Sequence, residues 1–274
     1  MLHNNYFRFF CLMVMLLWGA SICASGQIPN TAPVRLRVGT YNVGHFNQGS
    51  LGGFQGSGKK ATAMLQNWRS WVGRQALDIF GVNEWNTFFG KDSIQNAQQA
   101  LLNPYYNHIY FGKRNTWIYN GLATNFTLNH IHQVNLDGDY YAIVGELPMN
   151  GKIVHVLSVH VPWQKQWHDG SLQKLIDLLK GFEYFICMGD MNSFDDDQLL
   201  FTKAGFNMAN GGNMGWFPTA GGTSSATGYQ GKENVNIDNI VTSADIKIFN
   251  VRAPHTGLND LDHLPILADL VITF

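Results

Sequence analysis

The chain has 274 residues, 45% of them apolar and 14% charged, with 18 basic against 19 acidic side chains. That length and apolar content exclude a disordered tail or a disulfide-stapled mini-domain. The near-neutral balance excludes a polybasic surface that would hold nucleic acid or membrane by its overall field.

The first 26 residues have the layout of an export signal. Arg8 is the one charged side chain among them, Phe9 to Trp18 is an unbroken apolar run, and Gly19 to Gly26 is rich in small residues. The apolar run is short for a bilayer span. Residues 1–26 therefore predict a cleaved signal peptide, and residues 27–274 one domain that is secreted or periplasmic. A lipoprotein is not expected, because Ala20 and Ile22 stand where a lipobox wants Leu and a small residue. Losing Arg8 leaves 17 basic against 19 acidic residues, a formal charge of −2. Cys11 and Cys23 leave as well, so Cys187 stands alone and no intramolecular disulfide is expected.

Strand-like and helix-like segments then alternate without a repeat or an internal linker. Val34 to Val43 reads as a strand, and Lys59 to Ala76 as a helix with apolar residues at helical spacing. Ile79 to Val82 is again strand-like. The Gly-rich stretch between the first two contains Gly53-Phe-Gln-Gly-Ser-Gly58-Lys59, which fits a phosphate loop up to the position where Lys60 replaces Ser or Thr. A loop on the substrate side is the expectation. Tyr140 to Leu147 and Ile153 to Val161 flank an Asn150-Gly151 pair and predict an antiparallel hairpin. Leu172 to Leu179 reads as an amphipathic helix, Tyr184 to Met188 as a strand, Asp196 to Phe201 as a helix, and Val235 to Val241 and Ile266 to Ile272 as late strands. Hairpins mixed with helices predict an α/β (α+β) fold of two mixed sheets packed face to face, with helices outside.

The chemistry-bearing residues sit where apolar strands end. A strand end is rigid yet opens on a cleft, so it can aim a catalytic group. Five such ends occur: Thr40-Tyr41-Asn42-Val43, Val82-Asn83-Glu84, Ser158-Val159-His160, Gly189-Asp190-Met191-Asn192, and Leu261-Asp262-His263-Leu264-Pro265. Each alone has a plain structural explanation. Asn42 could form a turn, Glu84 could be a solvated rim residue, His160 a core histidine, and Asp190 and Asn192 helix caps.

In this order the series resembles the endonuclease/exonuclease/phosphatase superfamily, with its Tyr-Asn strand end, strand-end Glu, strand-end His, Gly-Asp-x-Asn, Ile-Asp strand and terminal Asp-His-x-Pro. All six occur here, the fifth as Ile237-Asp238, across residues 36 to 273. Asn83 stands where the family usually has Gln, and Leu261 where it often has Ser. The resemblance implies a four-layer αββα sandwich and a phosphoester hydrolase using Mg²⁺, Mn²⁺ or Ca²⁺. It implies Glu84, Asn42 and Asp262 as the residues that hold metal or phosphate. His263 would be the general base, oriented by Asp238. Asp190 would act on the attacking water, Asn192 would donate its amide to a phosphoryl oxygen, and His160 would donate to the phosphate or protonate the leaving group. The expected partner is a phosphoester substrate, a nucleic acid or a phospholipid head group, with no protein partner and a monomeric chain. His160-Val161-Pro162 resembles the deoxyribonuclease branch, so a nuclease is the first expectation and a sphingomyelinase-like phosphodiesterase the second. An inactive binding protein of the same fold would have eroded these positions.

His130 and His132, two apart on a predicted strand, would face one side as a potential zinc pair without a third ligand. Trp163, Trp167 and Trp216 are expected in loops beside the motifs, mainly as local packing.

Overall fold

A computed structural model describes residues 32–47, 54–92, 95–115, 117–220, 235–260 and 262–274. The expected signal peptide and the first residue of the Gly53–Lys59 stretch lie outside them. Among the described residues, no helix is long and apolar enough to cross a membrane.

Strands β1 (Val34–Asn42), β2 (Ile79–Asn83), β5 (His108–Phe111), β6 (Gly121–Thr124), β13 (Ile246–Arg252) and β14 (Ile266–Ile272) form one sheet, in the order β13-β14-β1-β2-β6-β5. A second sheet runs β11-β12-β10-β9-β8-β7. It is built from β7 (Asn129–Asn135), β8 (Tyr141–Met149), β9 (Lys152–His160), β10 (Tyr184–Asp190), β11 (Asn207–Met208) and β12 (Asp238–Thr242). The two-residue strands β3 (Phe88–Phe89) and β4 (Gln95–Asn96) pair separately. Both large sheets are mixed: β1 and β2 are parallel, as are β9 and β10, and the other pairings are antiparallel. The hairpin between β8 and β9 turns through Asn150 and Gly151, at φ 49° and 76°. That conformation suits the right-handed twist of the two strands.

Helix α1 (Gly58–Gln75) buries Ala61, Leu65, Trp68, Trp71 and Val72, spaced three or four apart along one face. They pack with Tyr41, Phe80, Val82 and Leu267 of the first sheet. A short helix, α2 (Ala97–Leu101), joins that layer. On the other side, α3 (Lys165–Lys180) buries Leu172, Leu175, Ile176 and Leu179 against the second sheet. Between the sheets, Leu36, Val38 and Ile79 share one core with Val154, Val156 and Ile186. Each such side chain contributes about 1.5–3 kcal/mol by leaving water. The result is the expected sandwich of two mixed sheets with helices outside.

Several boundaries differ from the sequence reading. The first late strand begins at Asp238 rather than Val235, because β12 pairs with β10 and the pairing stops where Asp190 meets Asp238. Val235 instead bridges Ala220. Trp167 lies in α3, not in a loop. Helix α4 (Asp195–Lys203) is preceded by Phe194, so neither Asp190 nor Asn192 caps it. His130 sits at a left-handed irregularity in β7, bonds to Glu146 at 2.7 Å, and accepts His132 Nδ1 on its own carbonyl. Those engagements break the side-by-side geometry expected of a zinc pair.

Register brings the strand ends together. Asn42 lies beside Asn83 in the parallel β1–β2 pair. Asp190 lies beside His160 on one flank and Asp238 on the other. β14 starts at Ile266, opposite Thr40 and three residues after His263. Gly189 makes the close β9–β10 approach possible: its φ is +152°, and a Cβ there would run into the Val159 carbonyl oxygen. Gly189→Ala is expected to cost at least about 3 kcal/mol, from backbone strain and the clash together. Urea denaturation monitored by tryptophan fluorescence measures it, and an unchanged midpoint would show that the backbone relaxes freely here.

Candidate active site

The edge where these strands end holds a cluster of carboxylates and imidazoles. Asp190 is its hub. Its Oδ1 accepts from the Asn192 backbone N–H at 2.8 Å, and its Oδ2 accepts from Asn42 Nδ2 at 3.0 Å. The same Oδ2 lies 3.4 Å from His160 Nε2 and 3.7 Å from His263 Nε2. Asn42 Nδ2 also donates to Glu84 Oε1 at 3.1 Å, and its Oδ1 accepts from Gly44 N–H. Asn42 thus turns its amide N–H groups toward the carboxylates. Two carboxylates need donors, and its amide supplies them.

His263 Nδ1 is 2.9 Å from Asp238 Oδ2, and the Asp238 N–H donates to Thr219 Oγ1. Asp262 lies beside Gly44: a Cβ on that glycine would meet Asp262 Oδ2 at 2.8 Å and the Asn259 side chain at 2.7 Å. Asn259 ties this segment to the first sheet, since its Nδ2 donates to the Asn42 carbonyl and its N–H to the Tyr41 hydroxyl. Asn192 donates its amide to the Val161 carbonyl at 2.8 Å, committing one of the two protons expected for a phosphoryl oxygen. His160 is fully buried, edge-on to Tyr140 and Trp117, with neither ring nitrogen hydrogen-bonded. All eight residues expected from sequence therefore meet at one edge of the sandwich.

The site also has parts that the motifs did not predict. Asn83 is buried between the sheets, donating to the Val159 carbonyl at 2.9 Å and accepting from the Asp190 N–H at 3.1 Å. His45 is 4% exposed, with both ring nitrogens unpartnered and Nε2 at 3.7 Å from Glu84 Oε2. Its only signal in the sequence was its place just after the Tyr-Asn strand end. Backbone strain gathers here too. His45, Phe46, Glu84 and Asn192 are non-glycine residues at positive φ, each costing about 1–3 kcal/mol, a pattern typical of functional sites.

The charges do not balance locally. Burial, with Asp262 and Asp190 nearby, pushes the Glu84 carboxyl up to about 8. Burial and Asp238 raise Asp190. Burial opposes the charge on His263, but Asp238, Asp262 and Asp190 outweigh it and hold that imidazole well above its ordinary value. Burial, His263 and His45 push His160 down to about 3, and burial and Arg114 push His45 down to about 4. Two sets of donor atoms lie close enough to share an ion: Glu84, His160 and Asp190, and Asp190, Asp238 and His263. Self-repelling carboxylates, orphaned imidazole nitrogens and a few oxygen donors suit a divalent cation.

A stability prediction follows with a definite sign. Glu84 and His263 hold protons in the folded state that the unfolded chain releases above 4.5 and 6.5. Their contribution to stability falls as pH rises above 6.5 toward 8. His160 and His45 resist protonation in the fold, so they destabilise only as pH falls below 6.5. In chelator, thermal stability should therefore decline between pH 6.5 and 8, by at most about 1.4 kcal/mol per pH unit for each group. A saturating divalent cation should flatten the decline. Scanning calorimetry across that range checks it, and a chelated protein that gains stability over the window contradicts the cluster's electrostatics.

No protein-family model matches this sequence, and no curated protein does. Solved structures do match. A D. rerio TDP2 humanised by 14 mutations aligns with a TM-score of 0.64 at 10% identity, over 86% of this chain and 98% of that one. D. rerio TDP2 complexed with a single-strand DNA product gives 0.63, also at 10% identity, with the same coverage. An endonuclease/exonuclease/phosphatase from Bacteroides vulgatus gives 0.61 at 17% identity, over 86% and 98%. At these identities the likeness is one of fold. Sheet order, register and this likeness agree: the chain has the endonuclease/exonuclease/phosphatase fold.

Proposed function

We propose that this protein is a divalent-metal-dependent phosphoester hydrolase, exported from the cell, that cleaves phosphodiesters of nucleic acid. The observation that carries this reading is the convergence of Glu84, Asp190, Asp238 and His263 around one cleft edge, with carboxylates and an imidazole a few ångströms apart. Export is supported by the pattern of residues 1–26. Nucleic acid as substrate class is supported by the His160-Val161-Pro162 run and by the likeness to a TDP2 that holds a DNA product.

A divalent cation here supplies charge neutralisation at the phosphate and stabilises negative charge developing on oxygen. Glu84, with Asp262 beside the Gly44 turn, would hold it, and Asn42 would keep Glu84 and Asp190 in place through its two N–H groups. His263 takes the proton from the attacking water. Asp238 fixes its tautomer through Nδ1, leaving Nε2 toward Asp190 and the cleft. Without a cation the surrounding carboxylates keep His263 protonated. A cation held by Glu84 and Asp262 would lower that proton affinity, which suits His263 to the role of base. His160 is held neutral by burial, so of its two expected roles it fits an N–H donor to phosphate better than a proton donor to the leaving group. Asp190 orients the water, and Asn192 keeps one amide proton for a phosphoryl oxygen.

A phospholipid phosphodiesterase is the second reading, favoured by the exposure of Trp163 at 59% and of Trp167 and Trp216 at 37% each. Single- and double-stranded DNA, RNA, sphingomyelin vesicles and an aryl phosphodiester, each with Mg²⁺ or Mn²⁺ and with chelator, separate the two. No cleavage of any substrate with metal would sink both.

Three outcomes are expected of variants. Glu84→Gln should lower turnover at least about a hundredfold with the fold intact. It should also reduce the number of protons released per ion bound at pH 7 by roughly one, read by calorimetry in buffers of different ionisation enthalpy. His263→Ala should cost about 10³-fold in turnover, and Asp238→Asn less, since the imidazole remains. The double variant should be little worse than His263→Ala, because the pair acts as one unit. Multiplicative losses would mean that the two are not partners.

A further inference from the structure

Gly44, His45 and Phe46 form a left-handed turn directly after β1, with φ of 50°, 51° and 68°. Two L-residues in a row rarely adopt this conformation. Here tertiary contacts impose it. The His45 N–H donates to the Glu84 carbonyl at 2.9 Å, and the Phe46 N–H donates to the Val43 carbonyl at 2.7 Å. The Phe46 ring packs edge-on against Trp68 and Trp85. Glu84, at φ 49°, is left-handed as well, so the two strained positions hold each other through one hydrogen bond.

The strain serves to aim an imidazole. The His45 side chain is carried inward beside Glu84, where it is almost fully buried; the Trp85 backbone lies near enough to act on it, yet neither Nδ1 nor Nε2 has a partner in good hydrogen-bond geometry. A neutral imidazole has one donor and one acceptor to satisfy, and burial leaves no bulk water to do it. Its Nε2 is 3.7 Å from Glu84 Oε2. That is too long for a hydrogen bond. It is the spacing of two donor atoms that share one ion, each about 2.1 Å from it and so roughly 3–4 Å apart. On the other side of the turn, Asp262 Oδ2 occupies the place that a side chain on Gly44 would fill. The turn thus lies between two carboxylates proposed to hold the cation.

We propose that His45 is a further metal ligand, its Nε2 joining the Glu84 carboxylate, so that the site takes Mn²⁺ or another nitrogen-accepting ion in preference to Mg²⁺. Imidazole suits borderline transition ions, whereas Mg²⁺ prefers an all-oxygen shell that keeps its waters. The assignment rests on the cation-dependent reading above, but it adds a ligand that none of the strand-end motifs contains.

The test uses metal binding rather than turnover. Purified protein is stripped with chelator and loaded with Mn²⁺. Free Mn²⁺ is read by electron paramagnetic resonance, Mg²⁺ by competition, and imidazole nitrogen on bound Mn²⁺ by pulsed resonance. His45→Asn keeps a residue at ease in the left-handed region, and His45→Gln keeps side-chain length, so two variants guard against a failure to fold. Each should raise the Mn²⁺ Kd about tenfold or more, and the Mg²⁺ Kd much less. The nitrogen signal should weaken, any part due to His160 persisting. In the unmodified protein, long-range ¹H–¹⁵N spectra should show the His45 Nε2 resonance moving on Zn²⁺ titration more than Nδ1. A full nitrogen signal in a folded variant, equal losses for Mn²⁺ and Mg²⁺, or an unmoved Nε2 resonance would overturn the assignment. If inhibition by inorganic phosphate weakens instead, His45 is a phosphate donor and not a ligand. A wild-type protein that binds no Mn²⁺ would bring down the cation reading itself. Binding that ignores His45 would bring down this inference alone.

Discussion

One buried amide sets the distance across the active edge. Asn83 is the last residue of β2, and its backbone lies beside Asn42 of β1. Its side chain leaves that sheet entirely, donating to the Val159 carbonyl of β9 and accepting from the Asp190 N–H of β10. The residue after each anchor bears a site group: Glu84 after Asn83, and His160 after Val159. Asp190 is itself an anchor. Without the Asn83 amide, a buried carbonyl and a buried N–H would each be orphaned, at about 1–3 kcal/mol apiece. The hydrogen bond from the Asn42 amide to Asp190 would then be the attractive side-chain link left between the two halves of the site. The resemblance pattern usually has Gln at this position, and in this chain the shorter amide reaches both backbone groups.

That clamp is needed because the groups it gathers do not attract. Glu84 and Asp190 both carry raised proton affinities, and His263 is the imidazole that the surrounding carboxylates favour in its charged form. His160 and His45, equally buried, are driven the other way. The difference lies in contact: His263 has the Asp238 carboxylate at 2.9 Å, whereas neither of the other two is hydrogen-bonded to a carboxylate. Imidazoles in one cleft are thereby sorted into one that carries a positive charge and two that do not. The stability to hold such an arrangement comes from elsewhere, from the packed inner faces of the sheets and the aromatic cluster of Tyr41, Phe46, Trp68, Trp71 and Trp85 beneath the first sheet.

How much of this was legible depends on whether the cause is local. Strand ends were legible, because an apolar run that stops at Asn42, His160 or Asp190 marks the point where burial gives way to a cleft. The β8–β9 hairpin was legible from Asn150-Gly151, since few other residue pairs take two left-handed positions in succession. The eight motif residues were legible as a set because their order carried information that no single one did. His45 was not, for its conformation is imposed by the carbonyl of Glu84, 39 positions away. The start of β12 was not, because pairing with Asp190 decides it. The direction of the Asn42 amide was not, because it depends on two carboxylates that arrive from β2 and β10. Trp167 was read as loop because the first turn of α3 has no apolar periodicity to announce it. Its ring packs where a Gly138 side chain would be.

The overall charge bears on how such a site meets an anionic substrate. With 18 basic and 19 acidic residues, the protein has no long-range field to gather polyanions. Attraction must then be switched on locally. A divalent cation held as proposed would bring positive charge to contact distance, where the low dielectric of a buried site makes charge count most. The exposed aromatic side chains Trp163 and Phe194, three residues after His160 and two after Asn192, stand on the loops leaving the active strand ends. They offer flat apolar faces suited to a base or a lipid chain without charge. On the proposed reading, recognition would divide accordingly: the cation and its ligands would select the phosphoester, and the loop aromatics what the ester is attached to.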